Sequence, residues 1–121
     1  MKLRMPQEIE VWYLLPAIRR EFTRVMVKNG IRQREISKKM GITEAAVSQY
    51  ISSKRAKNVR FPKNTKKEIE KSVEKVIKGR NMIVEMQRIC KICRKDRTLC
   101  KIHRMYGKVP KGCEVCFERG R

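Results

Sequence analysis

The chain has 121 residues, of which 32 are Lys or Arg and 12 are Asp or Glu, and its formal net charge is +20. This charge indicates contact with nucleic-acid phosphates, while 40% hydrophobic and 6% aromatic residues exclude a large core. No apolar run reaches the roughly 18 residues of a membrane span, and the N-terminal segment lacks the features of a signal peptide. We therefore expect a cytoplasmic protein without a membrane partner, built as one domain or two very small ones.

The first predicted element is a helix over residues 11–28, with Pro16 in its first turn. Apolar residues recur on one face of it at helical spacing, and Asn29 with Gly30 gives a stop and turn signal. The residues of this apolar face are Leu15, Ile18, Phe22, Val25 and Met26.

Two short helices follow. The first covers residues 33–40 and ends at Gly41, and the second begins at Glu44, with Thr43 as its N-cap. Ile36, Met40, Ile42, Val47, Tyr50 and Ile51 are predicted to face inward. The outward residues of the second helix are Glu44, Ala45, Ser48, Gln49 and Ser52.

A basic loop over residues 54–63 leads to a longer amphipathic helix, capped by Asn64 or Thr65 and running to about Lys78. Its apolar stripe is predicted to belong to the core or, alternatively, to form a dimer seam. The stripe consists of Ile69, Val73, Val76 and Ile77. Gly79 and Asn81 are predicted to close this helix, and residues 82–89 are consistent with either a strand or a helix.

The segment GIRQREISKKMGITEAAVSQYISSKR resembles the Cro/repressor class of helix-turn-helix domains. The residues that carry the likeness are the two short helices, the Gly-Ile-Thr turn and the polar outward face. With its cysteine-rich end, the chain also resembles a group of small predicted archaeal transcriptional regulators. The resemblance implies a mainly α fold, with a helix-turn-helix DNA-binding domain over residues 1–80 and a small zinc-ribbon-like or knuckle-like module over residues 81–121.

The same resemblance assigns roles within the pair. The recognition helix, over residues 43–53, would enter the major groove, and Gln33 would contact a phosphate and steady that helix. Glu44, Ala45 and Gln49 would face bases, and Ser48 would meet a phosphate or a base; glutamine can pair with adenine through two hydrogen bonds. Glu44 departs from the glutamine common at this position in the family. The remaining expected DNA-binding residues are Thr43, Lys38, Lys39, Lys54, Arg55, Lys57 and Arg60.

All five cysteines and the only histidine lie within residues 90–116, with the spacing C-x2-C-x6-C-x2-H-x9-C-x2-C. Two residues between ligands let both thiolates reach one tetrahedral ion, and 19 residues separate the two C-x2-C pairs, as in four-cysteine zinc sites. The predicted zinc ligands are Cys90, Cys93, Cys113 and Cys116.

Cys100 and His103 are two further candidate ligands, so six donors are available for one tetrahedral ion. Cys90 and Cys93 could instead bind the ion with Cys100 and His103, or most of the six could surround two ions or an iron–sulfur cluster. Disulfides are disfavoured in a reducing cytoplasm. A catalytic Cys100–His103 pair would need a cleft that this segment has too little apolar content to build, so no enzymatic activity is expected.

Taken together, the sequence predicts a sequence-specific regulator that binds double-stranded DNA, with a structural zinc site near its C-terminal end. Proteins of this class often bind two half-sites as homodimers, so a homodimer is also expected. Two other interpretations stay open at this point. One is a regulator that senses metal or redox state through an iron–sulfur cluster, and the other is a zinc protein associated with RNA or the ribosome.

Overall fold

The first helix, α1, covers residues 6–28 and contains a π-helical segment. In it Pro6–Ile9 is α-helical, Glu10–Leu14 is π-helical and Leu15–Lys28 is α-helical again. The backbone N–H of Leu15 donates to the carbonyl of Glu10, and Pro16, which follows, has no N–H to donate. The wider turn thus accommodates Pro16 inside a continuous helix. The predicted helix is present, but it begins earlier than the sequence indicated.

The computed structural model describes residues 3–52, 56, 58–113 and 115. After α1 these residues form five more helices and no strand, which confirms the mainly α fold. The helices are α2, Gln33–Met40; α3, Glu44–Ile51; α4, Lys63–Ile77; α5, Met82–Lys95; and α6, Thr98–Tyr106. None of the helices in this part of the chain has the length and apolar character needed to cross a bilayer.

Two helix starts differ from the prediction. α4 begins at Lys63, with Pro62 at its N-cap, and Thr65 is buried, where its hydroxyl donates to the Asp96 carboxylate. Asn81 begins the next helix, since its side-chain oxygen accepts from the backbone N–H groups of Ile83 at 2.8 Å and Val84 at 3.2 Å. Residues 82–89 are therefore helical, which resolves the strand or helix ambiguity.

The buried apolar side chains form one core, and all helices except the short α2 and α3 contribute several residues to it. From α1 come Ile9, Leu14, Ala17, Ile18, Phe22 and Met26. From α4, α5 and α6 come Ile69, Val73, Val76, Met86, Ile89, Cys90, Cys93, Leu99, Cys100 and Ile102. Ile69, Val73 and Val76 of the α4 stripe are thus buried in the core, and Ile77 packs against it half-buried, which favours the core over the dimer seam as the role of the stripe. Core residues lie on both sides of residue 80. The division of the chain into two domains at that residue stays a prediction.

A buried polar cluster joins α4 to α5. The carboxylate of Glu85, only 5% exposed, accepts from the Ser72 hydroxyl at 2.9 Å and from Arg88 Nε at 3.4 Å. The Arg88 guanidinium also donates to the Glu68 carboxylate and to the Ser72 hydroxyl, both at 2.7 Å. Hydrogen bonds from Arg88 and Lys71 lower the pKa of Glu68. Arg88 is therefore the residue on which the charge balance of this cluster depends.

Three contacts attach the last two helices to the N-terminal part of α1 and the residues before it. Arg94 binds the Glu10 carboxylate through two hydrogen bonds of 3.2 and 3.1 Å. The rings of Tyr13 and Tyr106 stack with centroids 3.8 Å apart. His103 Nε2 lies 2.7 Å from the carbonyl oxygen of Arg4, which can only accept, so Nε2 carries the proton.

We predict that Arg88→Met lowers the free energy of unfolding by about 2–3 kcal/mol, because it leaves the buried Glu85 carboxylate without its charged partner. Chemical denaturation of the purified variants measures this change. Lys91→Met, at an exposed position of the same helix, is the control and should change stability by less than about 0.5 kcal/mol. Adding Glu85→Gln to Arg88→Met should restore part of the loss. A double variant no more stable than Arg88→Met alone would contradict the explanation.

Candidate nucleic-acid interface

The turn between α2 and α3 is fixed at both of its ends. Gly41 has φ of +65°, a left-handed conformation that glycine adopts without a steric penalty. Thr43 Oγ1 accepts from the backbone N–H of Ala46 at 3.0 Å. Between them, Ile42 donates its N–H to the Ser37 carbonyl at 3.2 Å and accepts from the Ser37 hydroxyl at 2.5 Å. The predicted roles of Gly41 as helix end and Thr43 as N-cap are confirmed.

The inward side of the pair packs against the core as predicted. Ile36 and Val47 are fully buried and Tyr50 is 2% exposed. Met40, Ile42 and Ile51 are half-buried and pack on the edge of the core. The two alanines of α3 differ in exposure: Ala46 is buried, and Ala45, predicted to face outward, is exposed. Only Ala46 thus allows a close approach of α3 to its neighbours.

The other face of α3 presents polar side chains. Glu44, Ala45 and Ser48 are exposed and Gln49 is half-buried. Residues three and four positions apart lie next to each other on a helix, so these four form a single face. The structure therefore brings together the predicted base-facing residues.

Gln33 and Ser48 connect the two helices on the same exposed side. The Ser48 hydroxyl donates to the side-chain oxygen of Gln33 at 3.0 Å, across the start of α2 and the middle of α3. This contact leaves the amide NH2 of Gln33 available as a donor. The residue predicted to steady the second helix is thus in contact with it.

Positive charge surrounds the pair. Arg32, Arg34 and Lys38 are exposed at α2, and Arg60 is exposed after α3. Lys39 is half-buried. Three further expected phosphate contacts, Lys54, Arg55 and Lys57, lie outside the described residues.

Sequence reasoning missed a buried arginine that holds the chain after α3. Arg20, on α1, is 5% exposed and donates to the backbone carbonyls of Ala56 and Val59, the latter at 2.7 Å. Glu21 lies 3.7 Å from the same guanidinium. Burial lowers the pKa of Arg20, partly offset by Glu21. In the sequence, an arginine inside a predicted helix looks the same whether it is buried or exposed. The contacts of Arg20 could therefore not be predicted.

The first cysteine pair lies in a helix and not in a metal-binding turn. Cys90 and Cys93, on α5, are 1% and 0% exposed and belong to the core. Burial, followed by the neighbouring Glu10, raises the pKa of Cys90 to about 11, and burial also raises that of Cys93. Burial therefore favours the neutral form of both thiols. In this arrangement they pack as small apolar side chains.

The other candidate ligands are distributed over α6 and the residues after it. Cys100 and His103 are 9% and 8% exposed, and the contact of His103 Nε2 with Arg4 leaves only Nδ1 for a metal. Cys113 is half-buried, and Cys116 lies outside the described residues. Within residues 3–113, as far as they are described, no three His, Cys, Asp or Glu side chains come together as a metal site. The described residues do not fit a zinc ion by themselves, so the four-cysteine set stays a prediction.

Comparison of the chain with known protein families, curated proteins and solved structures finds no match in any of the three.

We predict that Arg20→Met lowers the free energy of unfolding by about 1–3 kcal/mol, because it removes the donors to two backbone carbonyls. Hydrogen exchange should accelerate more at residues 58–61 than in α4. Arg24→Met, one turn further along α1 and half-exposed at 43%, is the matched control and should change stability little. Equal effects of the two substitutions would show that Arg20 does not hold this segment.

Proposed function

We propose that this protein is a sequence-specific DNA-binding transcriptional regulator of the Cro/repressor helix-turn-helix type. In this proposal α2 and α3 are the two helices of the motif, and α3 is the recognition helix. The observation that carries it is the polar face of α3, supported by a fixed turn on one side and by the core on the other.

The chemistry of that face suits base edges in a major groove. Gln49 offers both a donor and an acceptor, as adenine requires, and the Ala45 methyl suits the methyl group of thymine. Ser48, bound to Gln33, places a hydroxyl and an amide side by side where a phosphate can accept from them. Glu44 can accept from the amino group of cytosine, and a single acid among the four leaves the face compatible with DNA.

The basic residues around the pair supply affinity without sequence information. Arg32, Arg34, Lys38 and Arg60 are exposed and can contact phosphates on either side of the groove. We further propose that the protein binds as a homodimer on two half-sites. Because the α4 stripe packs in the core, we expect the dimer contact to use another surface.

We predict that Gln49→Ala reduces the preference for the selected operator over other sequences by about 5- to 150-fold, the equivalent of one lost bidentate base contact. The operator is first obtained by selection from random DNA duplexes. Binding of wild type and variant is then measured with that operator, with each of its single-base variants, and with random DNA.

Gln7→Ala, at an exposed glutamine of α1, is the matched control and should leave both affinity and preference unchanged. A Gln49→Ala variant that binds every sequence more weakly by the same factor would overturn base readout by α3. Failure of the selection to enrich any sequence, with tighter binding to single-stranded RNA, would support the RNA-binding alternative.

The zinc site is a separate part of the proposal, supported by six donor side chains within residues 90–116 and by the free thiols of Cys90, Cys93, Cys100 and Cys113. A bound zinc ion would supply structural stability to this end of the chain. Because Cys90 and Cys93 are buried in the core, binding through them would require α5 to rearrange.

We predict about one zinc ion per chain in protein purified without oxygen, as measured by elemental analysis. Cys113→Ser should abolish zinc binding if the two C-x2-C pairs hold the ion, whereas Cys100→Ser should not. The opposite pattern would assign the ion to Cys90, Cys93, Cys100 and His103. A brown, iron-containing protein would favour the iron–sulfur alternative, and protein free of metal would overturn this part of the proposal.

A further inference from the structure

The hairpin formed by α5 and α6 has an outer surface of one charge sign. From Arg80 to Gly112, every charged residue that is exposed is a lysine or an arginine. These exposed cations are Arg80, Lys91, Lys95, Lys101, Arg104, Lys108 and Lys111. We define Lys91, Lys95, Lys101 and Arg104, which lie on the two helices, as the basic face of the hairpin.

The two acids of this stretch do not offset that charge at the surface. Glu85 is 5% exposed and bound to Ser72 and Arg88. Asp96 is half-buried, and its carboxylate accepts from the Thr65 hydroxyl and from the backbone N–H of Thr98. Both carboxylates thus accept hydrogen bonds inside the fold, and the exposed cations face solvent.

The cations occur at helical spacing. Lys91 and Lys95 are four residues apart on α5, and Lys101 and Arg104 are three apart on α6, so each pair lies on one side of its helix. Side chains four residues apart on a helix are separated by about 6 Å along its axis, close enough for both to reach one nucleic-acid backbone. Like charges so close repel each other, and a bound polyanion relieves that repulsion.

We propose that the basic face is a second DNA-binding surface, which contacts the phosphates of double-stranded DNA outside the half-site read by α3. This inference extends the proposed function to a surface where no base-reading residue is expected. It predicts affinity without sequence preference, because phosphates are the same for every sequence.

An anionic membrane is the less suitable partner. A helix that lies on a bilayer needs an exposed apolar face beside its cations. In the hairpin the apolar sides of both helices are buried in the core through Ile89, Leu99 and Ile102. The exposed apolar residues Ile83 and Val84 lie at the start of α5, about two turns from Lys91. On α6 only Met105 is exposed among the large apolar residues, and one such side chain does not make an apolar face.

The test compares two triple variants of the full chain that lose the same charge. In the hairpin variant, glutamine replaces Lys91, Lys95 and Lys101. In the control variant, glutamine replaces Lys67, Lys75 and Lys78, which are exposed on and just after α4. The outer surface of α4 also carries the exposed acids Glu70 and Glu74, so its lysines do not form a face of one sign.

Binding to duplexes of random sequence is measured over a range of salt concentrations, with a short duplex and one several turns longer. The hairpin variant should bind the long duplex about 10-fold or more weakly at 0.1 M salt, with a salt slope smaller by about 2–3, one unit for each lost phosphate contact. It should also lose the advantage of the long duplex over the short one. The control variant should keep the wild-type slope within about one unit.

Equal losses for the two triple variants would overturn the inference, since they would reflect total charge alone. Tighter binding of the wild type to single-stranded RNA or to vesicles containing phosphatidylserine, lost in the hairpin variant, would reassign the surface. Failure of this inference is distinguishable from failure of the proposed function. The hairpin variant should keep any preference for the selected operator, whereas Gln49→Ala should lose preference and keep the salt slope.

Discussion

The burial of the apolar face of α1 is the interaction on which the rest of the structure depends. All five other described helices contact this helix. Its buried side chains, among them Ile18, Phe22 and Met26, are fully removed from solvent. Since each such side chain contributes about 1.5–3 kcal/mol when buried, the face of one helix organises the packing of a small chain with few apolar residues. Both proposed DNA-binding surfaces are positioned by this shared support.

The distribution of acids explains how a chain with this charge can form such a core. Three carboxylates serve as internal anchors: Glu10 for Arg94, Glu85 for Ser72 and Arg88, and Asp96 for Thr65 and Thr98. Each of them connects two elements or begins a helix. An acid used in this way stabilises the fold and adds no exposed negative charge to the surface of the hairpin. Carboxylates that lie inside the fold stabilise it, and their position also leaves the surface of the hairpin positively charged for a polyanion.

The sequence predicted those parts of the structure that depend on local chemistry. Gly41 and Thr43 each have a role fixed by backbone conformation or by one hydrogen bond, so the turn between α2 and α3 could be located to the residue. The polar face of α3 followed from helical periodicity. Contacts such as those of Arg20 with Ala56 and Val59 were not predictable, because they join residues far apart in sequence and leave no periodic signal.

The cysteine segment shows why a spacing rule alone does not determine structure. Two cysteines separated by two residues suit a metal-binding turn, but they also lie on the same face of a helix. Cys90 and Cys93 follow the second pattern, beside Ile89, and contribute to the core as small apolar side chains.

The two uses of these thiols require different protonation states. A thiolate bound to a metal must be deprotonated, whereas burial raises the pKa of both thiols and so favours the neutral form. Arg94, which holds α5 against Glu10, follows Cys93 directly in the sequence. A metal ion that drew Cys93 out of the core would therefore also disturb the contact that attaches the hairpin to α1. The packing of Cys93 and the attachment of the hairpin to α1 thus involve adjacent residues of α5.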